Sequence, residues 1–377
     1  PNSLYTAVSR SRQQLLLNPG GMYGEFARVA IALALFLSAV SGWLESSVRG
    51  PNMSLRQPLN VQELWPHLAA KKTCASEAAG QVIREAWASD LINGGTVASE
   101  CGNGCPRPPA WTIHRSVVKY NDGDAKLEGL YARPEGAGLP DKLPGVIIAH
   151  TAVGPQEDFV LWKLDAFARL GYAAFALDMF GTGHALWDRP QSLKARRLLT
   201  QDRALMQARA MAAVRTLGQM EEVDEERLAA VGYCFGGMAV LDIARMVPPD
   251  AAGDGDVKLK AVASLHGLLV PILPGTRAGE TTALTSDHPP LSVPKVLVLH
   301  ASADPFVPPE QVQAFESEFL QRGAGLEIVR YGGEAMHAFT RPEKNGQADR
   351  DSGLSYSKRA DEDSWRRVVD LLREEFK

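Results

Sequence analysis

The chain has 377 residues, of which 45% are hydrophobic and 22% charged, and its formal net charge is −4. This is ordinary globular usage, enough for one large domain plus extra segments, and with no basic block interleaved with aromatics it excludes a nucleic-acid-binding reading. No zinc-type Cys/His spacing occurs, since Cys101-Gly-Asn-Gly-Cys105 has no second ligand pair nearby, so no metal is expected.

Residues 1–50 differ from the rest. Val29 to Val40 is an apolar run of signal-peptide length, preceded by Arg28 and followed by Ser41 and Gly42. It is shorter than the about 20 apolar residues that a membrane span needs. It reads as a leader to the secretory pathway or an organelle, a plastid-type bipartite leader included. The alternatives are an anchor or an ordinary core helix. A start at Met22 gives a conventional secretory leader, whereas a start at Met53 removes it and leaves a cytoplasmic protein. No stable membrane span is expected in the mature protein.

Residues 51–110 form an extension with one helix, Ala75 to Leu91, and a linker, Cys-Gly-Asn-Gly-Cys-Pro-Arg-Pro-Pro. In an oxidising compartment Cys74 has two candidate disulfide partners, Cys101 and Cys105; in a reducing one all three are free thiols.

Residues 111–377 form the main domain. Trp111–Tyr120 and Lys126–Pro134 read as an antiparallel pair around Asn121-Asp122-Gly123-Asp124. A strand is expected at 145–150, a helix near 156–170, a strand at 172–178 and one long helix over 190–218. A strand at 227–233, a helix at 236–247 and a strand at 259–265 follow. Leu268 to Val293 is a long Gly-, Pro- and Thr-rich connection, either shaping a pocket mouth or making a surface excursion. A strand at 294–300, a helix at 309–322 and a strand at 326–331 come next. The last helix, 357–376, repeats apolar residues at Val368, Leu371, Leu372 and Phe376. Such alternation builds an α/β fold, a mostly parallel sheet with helices on both faces.

The strand ending in Leu228-Ala229-Ala230-Val231 runs into Gly232-Tyr233-Cys234-Phe235-Gly236-Gly237 and then a helix. Strand, nucleophile on a sharp turn, and helix make the nucleophile elbow of an α/β-hydrolase, with cysteine in place of the usual serine. Gly232 and Gly236 stand where the turn leaves no room for side chains. The alternative is a buried structural cysteine. In this fold an acid and then a histidine follow the nucleophile in chain order. Asp304 lies just past the strand ending at His300, and His337 lies on the loop after the strand ending at Tyr331. Both are at carboxyl edges, where such sheets keep their chemistry. A free thiol has a pKa near 8.5; His337 takes its proton, and Asp304 orients and stabilises the imidazolium. The oxyanion needs two N–H donors: the amide of Phe235 and, from the loop Thr151-Ala152-Val153-Gly154, that of Ala152.

These motifs, with Lys126-Leu127-Glu128-Gly129-Leu130-Tyr131, Pro144-Gly145-Val146-Ile147-Ile148, Gly171-Tyr172-Ala173-Ala174, Asp304-Pro305-Phe306-Val307-Pro308 and His337-Ala338-Phe339, resemble the dienelactone hydrolase family from about Ser116 to the C-terminus. The resemblance implies a cofactor-free, compact hydrolase that opens lactones or cleaves small esters through a Cys–His–Asp triad. The triad then falls on Cys234, Asp304 and His337, and the oxyanion donors on Ala152 and Phe235. Founding members bind the substrate carboxylate with two arginines. Their positions fall on Arg341, in His337-Ala338-Phe339-Thr340-Arg341, and near Arg196-Arg197, where Arg197 is favoured of the two; the alternative is that both arginines are solvated surface charges. Founding members also carry a glutamate, which helps control the cysteine's protonation, where this chain has Thr151. Threonine cannot act as a base, so activation leans on His337, and Thr151 becomes a candidate substrate contact. Neighbouring His150 reads as packed rather than substrate-facing.

The partner expected is a small-molecule ester or lactone, and the protein is expected to be a monomer. Acyl transfer or thioesterase chemistry on the same triad, or a non-catalytic redox-sensing relative in which Cys234 is an oxidisable thiol, are the alternatives.

Overall fold

A computed structural model describes residues 112–246, 258–271, 293, 295–333 and 335–377. The expected leader, the 75–91 helix, Cys74, Cys101, Cys105 and most of the 268–293 connection lie outside the described residues.

Eight strands form one sheet: β1 (Thr112–Asp122), β2 (Ala125–Glu135), β3 (Leu143–Ala149), β4 (Ala173–Ala176), β5 (Val223–Tyr233), β6 (Leu259–Leu265), β7 (Lys295–Ala301) and β8 (Gly325–Tyr331). Their spatial order is β1-β2-β4-β3-β5-β6-β7-β8. The first two pairings are antiparallel and the rest parallel. This is an α/β-hydrolase fold. The β1–β2 hairpin turns at Gly123, whose φ of +54° suits a residue without a Cβ.

Helices cover both faces. They are α1 (Asp158–Arg169), α2 (Arg189–Gln201), α3 (Arg203–Gly218), α4 (Phe235–Ala244), α5 (Pro309–Gln321), α6 (Gln347–Asp351) and α7 (Lys358–Glu375). Strand residues alternate between the two cores because successive side chains point to opposite faces. Ile147, Phe175, Ala230, Val262 and Val298 pack with α3, α4 and α5. Val146, Ile148, Ala174, Val231, Ala263 and Leu299 pack with α1 and α7. Each fully buried Val, Leu or Ile contributes about 1.5–3 kcal/mol.

Two expectations need correction. The helix expected over 190–218 is two helices, broken at Asp202 (φ −116°, ψ 86°). Its side chain accepts a hydrogen bond from the Leu205 N–H, so it caps α3 and stops α2 from continuing. The five-residue helix α6 was unmarked in the sequence, being wholly polar apart from Ala348.

A buried charge network joins three helices. Arg203 of α3 forms a two-pronged ion pair with Asp242 of α4, and Arg245 bridges Asp242 (3.0 Å) to Glu318 of α5 (2.8 Å). Removing one member of a buried set strands the other charges in low dielectric. Asp242→Ala is therefore expected to destabilise the domain by about 3–5 kcal/mol, read as a fall in the urea midpoint with an unchanged slope. A loss under about 1 kcal/mol would mean that the network is hydrated or easily rearranged.

Candidate active site

Cys234 sits between the end of β5 and the first residue of α4 with φ +56° and ψ −116°, a backbone state that L-residues rarely adopt and that recurs at functional sites. The glycines around it are forced. A Cβ on Gly232 would collide with the carbonyl of Gly236, and one on Gly236 with the carbonyls of Ala149 and His150. The second contact presses the end of β3, from which the loop carrying Ala152 leaves, against the elbow. The turn is fastened by the Cys234 N–H donating to Leu265 O at 3.1 Å.

Three side chains from three strand ends meet there. His337 Nε2 lies 3.0 Å from Cys234 Sγ, and His337 Nδ1 lies 2.8 Å from Asp304 Oδ2. The other Asp304 oxygen accepts the Phe306 N–H at 2.8 Å, which fixes the carboxylate. His337 is held from behind: Ser355 N–H donates to its carbonyl at 3.1 Å, and the ring sits edge-on to His266 and Phe306 at 5.3 and 5.1 Å. The polar segment around α6 thus buttresses the histidine loop.

The electrostatics favour charge separation. Burial alone pushes the Cys234 thiol up, but His337, then Arg196 and the Phe235 N–H, pull it below the ordinary thiol value. Burial disfavours the His337 cation, but Cys234 and Asp304 raise its pKa to about 10. Both shifts run in the direction that favours a thiolate–imidazolium pair. The start of α4 adds its positive dipole end beside the sulfur.

The other candidates divide. Thr151 is buried, and its hydroxyl donates to Glu157. Arg341 is also drawn inward: it pairs with Glu157 and with Glu343 at 2.6 Å, over the Phe159 ring at 5.1 Å. Its charge is already matched within the protein. Arg197 is exposed on α2 and is not brought to the sulfur. Its neighbour Arg196 is half-buried and close enough to Cys234 for each charge to affect the other. The buried Arg196 Nε has no acceptor. The physical reason is helical phase: Arg196 shares a face with Ser192 and Leu199, the two buried residues of α2, whereas Arg197 is turned about 100° away.

His150 is packed, as expected. It is buried edge-on to Phe180 at 4.6 Å, and burial lowers its pKa to about 4, so it stays neutral. Glu157 and His266 were missed. Glu157 looks in sequence like one more acidic residue at a helix start, and His266, with φ +39°, follows a strand without any motif. Among the described residues no cluster of His, Cys, Asp and Glu is arranged to hold a metal, and no helix is long and apolar enough to cross a membrane.

The profile of the dienelactone hydrolase family matches residues 127–376. An uncharacterised protein of Caenorhabditis elegans is 34% identical over 179 residues, which span 47% of this chain and 99% of that protein. Among solved structures, m3DLH is 32% identical, with a TM-score of 0.58, covering 70% of this chain and 99% of that one. A dienelactone hydrolase-like promiscuous phosphotriesterase from metagenomic libraries is 30% identical, with a TM-score of 0.59 and the same shares, 70% and 99%.

Proposed function

Since the chain belongs to the dienelactone hydrolase family and is a hydrolase acting on a small-molecule substrate, we propose that it cleaves small esters or lactones through a covalent acyl-enzyme on Cys234. One observation carries this reading: the unbroken line of contacts from Cys234 Sγ through His337 to Asp304, at 3.0 and 2.8 Å.

The thiolate attacks the carbonyl carbon, and the oxygen that becomes negative is received by the amides of Phe235 and Ala152. The tetrahedral adduct collapses as His337 gives its proton to the departing alkoxide, leaving a thioester on Cys234. A water molecule then attacks the thioester while His337, now neutral, takes its proton. Collapse of the second adduct expels the thiolate and frees the acid, and the imidazolium stays beside the sulfur. Asp304 keeps Nδ1 protonated throughout, which leaves Nε2 facing the chemistry.

Arg196 is the substrate-carboxylate residue in this reading, because it carries a buried donor without an acceptor and has no ion-pair partner among the described residues. Arg196→Ala is expected to raise KM about tenfold for an ester bearing a free carboxylate and to leave KM for a neutral ester within about twofold, as for loss of one charge-assisted hydrogen bond. Its effect on the thiolate falls on both substrates alike, so the KM split is the readout. Equal KM changes for the two esters, or the same split in Arg197→Ala, would remove Arg196 from substrate binding.

A further inference from the structure

The end of β3 is tied down by more bonds than a loop between strand and helix needs. The His150 ring bonds the Thr151 carbonyl through Nδ1 at 2.7 Å, and its Nε2 accepts the Met179 N–H at 3.2 Å. These two bonds together require the tautomer protonated at Nδ1. Thr151 O and the N–H of Ala152 belong to one planar trans peptide and point in opposite directions. Fixing the carbonyl on His150 therefore fixes where the Ala152 N–H points. On the far side, Ala152 O accepts the Ser192 hydroxyl at 2.5 Å, and the Leu186 N–H donates to Val153 O at 2.7 Å.

The remaining anchor is a carboxylate. Glu157 is fully buried and is the N-cap residue of α1, but its side chain makes no capping hydrogen bond. One of its oxygens accepts the Thr151 hydroxyl proton, and the other pairs with Arg341. With its proton directed at Glu157, Thr151 Oγ1 presents its lone pairs to the Val153 N–H at 3.3 Å and to Arg341 Nη1 at 3.4 Å. A chain of bonds thus runs from Val153 N–H through the threonine hydroxyl to the carboxylate and closes around the Ala152 peptide.

We propose that Glu157, acting through the Thr151 hydroxyl, is a positioning residue that holds the Ala152 amide in place to receive the oxyanion. This deepens the proposed ester-cleaving reaction and rests on it. Glu157 works on the loop and not on the thiol, and the matched Arg341 charge is part of the same anchor instead of a substrate contact. A preorganised donor acts because it need not reorient when charge develops on the substrate oxygen; a loop free to turn loses that advantage.

The test compares two reactions of the same sulfur in the full chain. Ester hydrolysis needs the oxyanion donors; alkylation of Cys234 by iodoacetamide does not. Glu157→Gln and Thr151→Val are each expected to lower kcat for a neutral aryl ester about 10- to 100-fold with KM little changed, as for a displaced reacting geometry. The alkylation rate should stay within about twofold of wild type, since the thiolate is untouched. Thr151→Ser, which restores the hydroxyl, should recover most of kcat. The Thr151 pair stands even if Glu157→Gln fails to fold. Unchanged kcat in Thr151→Val, a parallel fall in alkylation, or a Thr151→Ser variant as slow as Thr151→Val would each overturn the role. If instead Cys234→Ala kept full ester activity, the underlying reaction would fail and not the positioning alone.

Discussion

Cys234→Ala is expected to lower kcat/KM for a short-chain aryl ester by about 10⁴- to 10⁶-fold, the range seen when a nucleophile is removed from a set that acts as a unit. The size follows from the arrangement. Among the described residues Cys234 Sγ is the nucleophile within reach of His337 Nε2, at 3.0 Å, and the strained backbone of the turn, φ +56°, presents the side chain at this one position. Cys234→Ser is expected to keep measurable but reduced activity, because the same imidazole can deprotonate a hydroxyl during attack although it cannot hold it ionised at rest. A wholly inactive serine variant would mean that the preformed thiolate is indispensable. Residual activity of Cys234→Ala above about a tenth of wild type would point to another nucleophile or another fold face. A redox-sensing role without catalysis would leave wild type and Cys234→Ala equally inactive on esters, lactones and thioesters.

The elbow was legible because backbone crowding writes itself into sequence: Gly232 and Gly236 are needed on any chain that turns this way, and the apolar run before them marks the strand. Asp304 and His337 were legible from their places just past β7 and β8, since parallel topology gathers those edges. What was not legible depended on packing between elements distant in sequence. Arg196 and Arg197 are adjacent letters, and choosing between them requires knowing that Ser192 and Leu199 face inward. Glu157 is six positions from Thr151 and resembles any acidic residue at a helix start; only the folded loop brings the carboxylate to the hydroxyl. The break at Asp202 was available in principle, because Asp is a preferred N-cap, but the helical pattern on either side runs through it.

His337→Gln is expected to give the second large effect, a fall in kcat of about 10³- to 10⁴-fold, since in the proposed reaction it removes the general acid and base together. It also moves the thiol. Of the influences on Cys234, burial raises its pKa, and the nearby His337 cation is the strongest that lowers it. Without His337 the raising influence dominates, so the pKa climbs and less thiolate is present at neutral pH. Arg196 and the Phe235 amide remain and limit the climb. Asp304→Asn leaves His337 in place but takes away a charge that supports its cation, and so shifts the thiol in the same direction by a smaller amount. Glutamine at 337 giving wild-type turnover would mean that proton transfer runs through another group.

The pH dependence of Cys234 alkylation by iodoacetamide tests the ion pair most directly, with the modified peptide identified by mass and Cys234→Ala subtracting Cys74, Cys101 and Cys105. A lowered thiol pKa keeps the thiolate present at pH values above it and loses it as pH falls through it. Wild type should therefore lose reactivity at a lower pH than an ordinary thiol of pKa near 8.5 does, and His337→Gln should move that fall to higher pH. A single wild-type transition centred at about pH 8.5 or above, unmoved by His337→Gln, would contradict the thiolate–imidazolium pair.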